Sequence, residues 1–134
     1  MRKFVIIIAC LNLITGCGVA YNMNMSDLQK NANDEDYGNP PPKNYKQIAE
    51  NYIRDLLKDP DSAKFRNWKE PYRCLYPSNT SMTMPQLGWC NYVEVNAKNG
   101  FGAYNGFSLW QIRWSNEQIY GYYKYRIGKY GNIY

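Results

Sequence analysis

The chain has 134 residues, 20% of them charged, a formal net charge of +5 and no histidine, which leaves room for one domain with a tail. A 45% hydrophobic content and a mean hydropathy of −0.64 exclude a polytopic membrane protein and an extended disordered chain. Lack of histidine removes the commonest general base, the commonest zinc ligand and any Ser-His or Cys-His pair.

Met1-Arg2-Lys3 is a basic start, and Phe4 to Ile14 is apolar apart from Asn12. The run is shorter than the ~20 apolar residues of a bilayer-spanning helix, so it reads as a targeting segment. It ends in Leu13-Ile14-Thr15-Gly16-Cys17, which resembles the lipobox of bacterial lipoproteins. The resemblance implies a signal peptide over 1–16, diacylglyceryl transfer to the Cys17 sulfur, cleavage after Gly16 and acylation of the new amino terminus. Several acyl chains anchor far more firmly than one. Gly18, where Asp commonly signals inner-membrane retention, implies the outer membrane facing the periplasm in a Gram-negative host. Loss of Arg2 and Lys3 takes the formal charge from +5 to +3. That excess is too small to argue for nucleic acid, so no nucleic-acid partner is expected.

Residues 17–42 are polar and turn-rich and end in Pro40-Pro41-Pro42, which reads as a flexible tether stiffened at its end. Asp34-Glu35-Asp36 is a solvated charge run. A calcium loop started at Asp34 would need Gly at its sixth position and Glu at its twelfth, where Asn39 and Tyr45 stand. No metal site is expected.

Tyr45, Ile48, Ala49, Tyr52, Ile53, Leu56 and Leu57 form one apolar face of period 3.6, predicting an amphipathic helix over 44–58. Asn44 and Gln47 suit a capping box, and Asp59-Pro60 ends the helix. The period then becomes 2. Val93, Val95 and Ala97 alternate with Tyr92, Glu94 and Asn96; a turn follows at Asn99-Gly100. Strands are predicted over 104–114, with Trp110, Ile112 and Trp114 on one face, and over 118–127. Shorter ones are expected near 63–68 and 72–76. The expected fold is α+β: residues 43–134 as one domain, with a single N-terminal amphipathic helix packed on an antiparallel sheet of three to five strands. Cys10 leaves with the signal and Cys17 takes the lipid, so Cys74 and Cys90 are expected to form a disulfide in an exported chain.

Two stretches, Leu57-Lys58-Asp59-Pro60-Asp61-Ser62-Ala63-Lys64-Phe65-Arg66 and Val95-Asn96-Ala97-Lys98-Asn99 through Gly106-Phe107, resemble a group of small bacterial and prophage-encoded lipoproteins of unknown function. The resemblance spans about 44–107 and implies fold and location, with no reaction and no cofactor. Apart from it, Asp59 to Ser62 suit a turn that hydrogen-bonds its own backbone, and Asn96, Lys98 and Asn99 suit the same role beside a glycine turn.

Glu70, Glu94 and Glu117 are isolated from one another, no nucleophile or cofactor motif is present, and no catalytic residue is expected. Strict alternation from Gln118 puts Tyr120, Tyr122, Lys124 and Arg126 on one face of the last strand, with Ile119, Tyr123, Tyr125 and Ile127 on the other. The first group is the candidate binding surface, exposed if the helix covers the second. The expected function is a lipid-anchored, non-enzymatic interaction module for an envelope protein or cell-wall polymer, with prophage interference as one instance. The alternative is a structural accessory lipoprotein of an envelope complex such as a secretion apparatus.

Overall fold

The computed structural model describes residues 25–76 and 85–128. They belong to two compact units, residues 1–31 and 32–134. The described part of the first unit holds α1 (Met25–Lys30), with Asp27 in its first turn and Lys30 in its last, matching the helix dipole. The expected signal segment, Cys17 and Gly18 lie outside the described residues.

The second unit is a five-stranded antiparallel sheet with helical pieces. Its spine is β3 (Gln86–Asn96). Along one edge of β3 lie β1 (Lys64–Arg66), paired Phe65 to Val95, and β2 (Tyr72–Tyr76), paired Cys74 to Gly88. Along the other edge lies β4 (Ser108–Ser115), paired Val93 to Trp110, and beyond it β5 (Gln118–Arg126), paired Trp110 to Lys124. Asn116 and Glu117 make the β4–β5 turn with φ of 46° and 69°, the left-handed pair that a two-residue hairpin demands.

One face of the sheet is covered by α2 (Tyr45–Leu56). Its Tyr45, Ala49 and Ile53 are buried against Val93, Val95, Trp110, Ile112 and Trp114. Ala49, Ile53, Val93, Ile112 and Trp114 are wholly sealed from solvent, and a side chain such as Ile53 gains ~1.5–3 kcal/mol by that burial. Within this core the Trp114 indole Nε1 donates to Asn91 Oδ1 at 2.7 Å, so the buried indole N–H is satisfied by a polar residue pointing inward.

At its end α2 passes through an extended Leu57 into a 3-10 turn at Pro60–Ser62. Asp59 Oδ1 accepts from the Ser62 amide at 3.3 Å, and Ser62 Oγ donates to the Asp59 carbonyl at 2.8 Å, the self-bonding turn expected there. Ser62 Oγ also accepts from the Lys98 amide at 2.8 Å, tying this corner to the loop after β3.

Three expectations need correction. The helix is not single: α1, α2 and 3-10 segments at Asp34–Tyr37 and Pro60–Ser62 are present. Asn44 makes no side-chain cap; Gln47 bonds to Asn51 Oδ1 instead, one turn along the exposed face. Residues 34–39 are not tether. Tyr37 is buried, the Gly38 carbonyl accepts from Trp89 Nε1 at 3.1 Å, and Asp34 pairs with Arg73 at 2.7 Å. A single aromatic among polar residues gives no periodic signal, yet it anchors the segment. The expected Cys74–Cys90 disulfide is present and joins β2 to β3, with Cα atoms 5.8 Å apart.

Candidate functional site

The alternation of β5 does not run unbroken. A bulge shifts the register between Arg113 and Trp114, so that Trp114 pairs with Ile119 and Arg113 with Gly121. The extra residue is Tyr120, and a bulge of this kind moves a side chain to the other face. Tyr120 packs on Tyr76 (ring centroids 5.3 Å) beside the buried cystine, on the face away from α2. Tyr122 stacks on Trp110 at 4.8 Å and meets Tyr52 of α2 edge-on at 6.1 Å. Lys124 sits over the Trp110 ring at 5.3 Å. The expected surface is thus divided, and the two faces are reversed: Tyr122, Lys124 and Arg126 lie on the helix side, and Tyr123 and Tyr125 on the open side.

Among the described residues no helix packs on that open face, and its side chains are aromatic. Tyr72 and Tyr92 stack with centroids 5.9 Å apart. Gln111 Nε2 donates to the Tyr92 hydroxyl at 3.0 Å and to the Tyr72 hydroxyl at 3.4 Å. Arg113 donates to Gln111 Oε1 at 3.4 Å, and its guanidinium lies 5.7 Å from the Tyr76 ring and 5.6 Å from that of Tyr123. Tyr123 and Tyr125 adjoin at 4.7 Å. Tyr72 and Tyr123 are 39% and 50% exposed, enough to offer ring faces to a ligand. A shallow depression of about 530 Å³ opens beside them between Asn67, Lys69, Tyr92, Glu94, Leu109 and Tyr125.

Hydrogen bonding from Asn67 first, then from Arg66 with its charge, holds the Glu94 carboxyl below the ordinary carboxylate range despite some burial. Arg66 Nε and Asn67 Nδ2 reach its oxygens at 2.7 and 3.1 Å. Glu70 and Glu117 are elsewhere: Glu70 meets Lys46 of α2 at 3.9 Å, and Glu117 occupies the β4–β5 turn. Burial, then the adjoining Tyr72 hydroxyl, push the Tyr92 hydroxyl up to about 12. A folded-state value raised above the unfolded ~10 leaves stability whole below that pH and removes it as pH rises toward the folded value. Tyr92→Phe should therefore flatten the fall in melting temperature between pH 10 and about 12. An alkaline limb as steep as that of the wild type would contradict the assignment.

A second concavity, about 560 Å³, lies on the helix side at the end of α2. Among the described residues, Lys58, Lys98, Lys124 and Arg126 line it together with Leu56 and Trp110, and no carboxylate does. Lys124 and Arg126 belong to the candidate binding surface expected from the sequence. The other two, 40 residues apart along the chain, are brought in by the Ser62–Lys98 tie. No periodic pattern announces that meeting.

No protein family matches this chain, no curated protein matches it, and no solved structure matches it.

Proposed function

We propose that this chain is a lipid-anchored protein of the cell envelope, held through an acylated Cys17 in the outer membrane and facing the periplasm, and that it binds a partner without catalysing a reaction. The contact surface in this reading is the open sheet face, and the partner is an envelope protein or a cell-wall polymer. One observation supports the contact above all: a face left uncovered by α2 carries Tyr72, Tyr92, Tyr123 and Tyr125 around Gln111 and Arg113, joined by ring contacts and by the hydrogen bonds of Gln111. Tyrosine and arginine are the favoured anchors of binding surfaces because they bring large area at modest entropy cost. The anchor rests on the lipobox-like residues before Cys17.

Mass spectrometry of the membrane fraction should return a peptide beginning at acylated Cys17. An unmodified peptide spanning Gly16-Cys17 in the mature protein would overturn the anchor. For the contact, Tyr72→Ser with Tyr123→Ser should weaken capture of the envelope partner at least about 25-fold, since truncating a binding anchor costs more than ~1 kcal/mol each. Equal capture at equal melting temperature would show that these tyrosines only support the sheet.

A further inference from the structure

The loop between β3 and β4 places a phenylalanine in water and braces it there. Phe101 is 97% exposed. The loop is not slack: Lys98 and Tyr104 form a bridge, and the Asn99 amide donates to the Ala103 carbonyl at 2.9 Å. Asn99 Oδ1 accepts from the amides of Phe101 and Ala103 at 2.9 and 3.1 Å, and Gly102 takes the positive φ of 78° that closes the tip. The Tyr104 hydroxyl donates to the Ser62 carbonyl at 3.0 Å, fixing the loop to the corner after α2. Phe107, at the end of the loop, lies under the Arg66 guanidinium at 3.6 Å, but the phenylalanine at the braced tip covers nothing and is poorly explained by folding.

The same end of the sheet is strongly cationic. Lys98 begins the loop, and Lys58, Lys124 and Arg126 line the adjoining cleft with it. Lys64 lies over the Tyr104 ring at 4.5 Å. Among the described residues none of these five cations has a carboxylate partner; the ion pairs present use Lys46, Arg66 and Arg73. Leu56, 44% exposed, adds a second apolar side chain to the cleft wall. Unneutralised cations gathered around a projecting aromatic match a surface that is anionic at its skin and apolar just beneath.

We infer that this end of the domain docks on a bilayer containing anionic phospholipid, Phe101 entering at acyl-chain depth while Lys58, Lys64, Lys98, Lys124 and Arg126 meet the phosphates. The inference rests on the envelope reading for the presence of a bilayer and on nothing concerning the open face. Each Lys or Arg near such a surface strengthens docking about fivefold, and burial of a phenylalanine strengthens it at least about tenfold. Docking would hold the domain in one orientation and leave the tyrosine face free to the side.

The test uses the full chain, extracted from its membrane and reconstituted in vesicles of phosphatidylglycerol mixed with phosphatidylcholine. A photo-crosslinking p-benzoylphenylalanine replaces Phe101 in one sample and Gln118, at the other end of β5, in a second. Position 101 should yield a lipid adduct and position 118 none. With Lys124→Gln and Arg126→Gln added, the ratio of docked to free domain should fall about 25-fold, at about fivefold per cation. A comparable or greater fall should follow in phosphatidylcholine alone. No lipid adduct at position 101, an equal adduct at position 118, or an adduct indifferent to lipid charge would each overturn the inference. Those outcomes leave the open-face reading untouched, because its loss would show at Tyr72 and Tyr123.

Discussion

Replacing Cys74 and Cys90 together by alanine is expected to lower stability by about 3 kcal/mol. The bond closes a loop with a sequence separation of 16, and the chain-entropy model gives roughly that value for a loop of about 15 residues. The cystine is also structural filling. Cys74 and Cys90 are 5% and 0% exposed and pack under Tyr76 and Tyr120 on the open side of the sheet. For a domain near 100 residues this corresponds to a drop on the order of 12–24 °C in Tm. A double variant melting with the wild type would show that the cross-strand bond adds nothing to β2–β3 pairing.

Gly88→Ala should have an effect of similar size for a different reason. A Cβ at this position would stand 2.6 Å from the Trp114 carbonyl oxygen, 2.6 Å from the Tyr76 hydroxyl and 2.8 Å from Tyr76 Cε1. Neither neighbour can yield easily: one is backbone, and Tyr76 is 1% exposed with its hydroxyl donating to that same carbonyl at 3.2 Å. Overpacking of a closed site costs ~1–3 kcal/mol, and a clash with backbone belongs at the upper end. Thermal unfolding of the single variant measures it. An unchanged Tm would mean that β3 and β4 separate locally without cost.

Much of the sheet is legible in the sequence, and the failures have particular causes. Period-2 alternation at Val93 and Val95, and at Trp110, Ile112 and Trp114, identifies the side chains that α2 buries. β3 reaches back to Gln86, beyond what alternation shows. The break is at Asn91, a polar residue on the inward face that is wholly buried because it serves the Trp114 indole. Tyr37 escapes for want of neighbours with a period. Its burial depends on the Trp89 indole reaching the next carbonyl, a contact between residues 51 apart in sequence.

The candidate surface was harder to read. Tyr120, Tyr122, Lys124 and Arg126 satisfy strict alternation, but one bulged residue divides them, and nothing in the local composition marks where a register shift falls. Which face α2 covers is likewise decided by pairing across β4, because Ile112 carries Tyr122 with it to the helix side. Lys124 and Arg126 do line a site, though one shared with Lys58 and Lys98. The Asp59–Ser62 and Asn99 turns were legible because each bonds its own near backbone, a local property that sequence carries directly.

The central claim is that the open tyrosine face is where this protein meets its partner. A p-benzoylphenylalanine in place of Tyr123 tests it directly in native envelope membranes, against the same residue in place of Gln47 on the exposed side of α2. Cross-linking to one discrete partner from position 123, and none from position 47, is the result predicted. A discrete partner captured from position 47 while position 123 remains unlinked would contradict it.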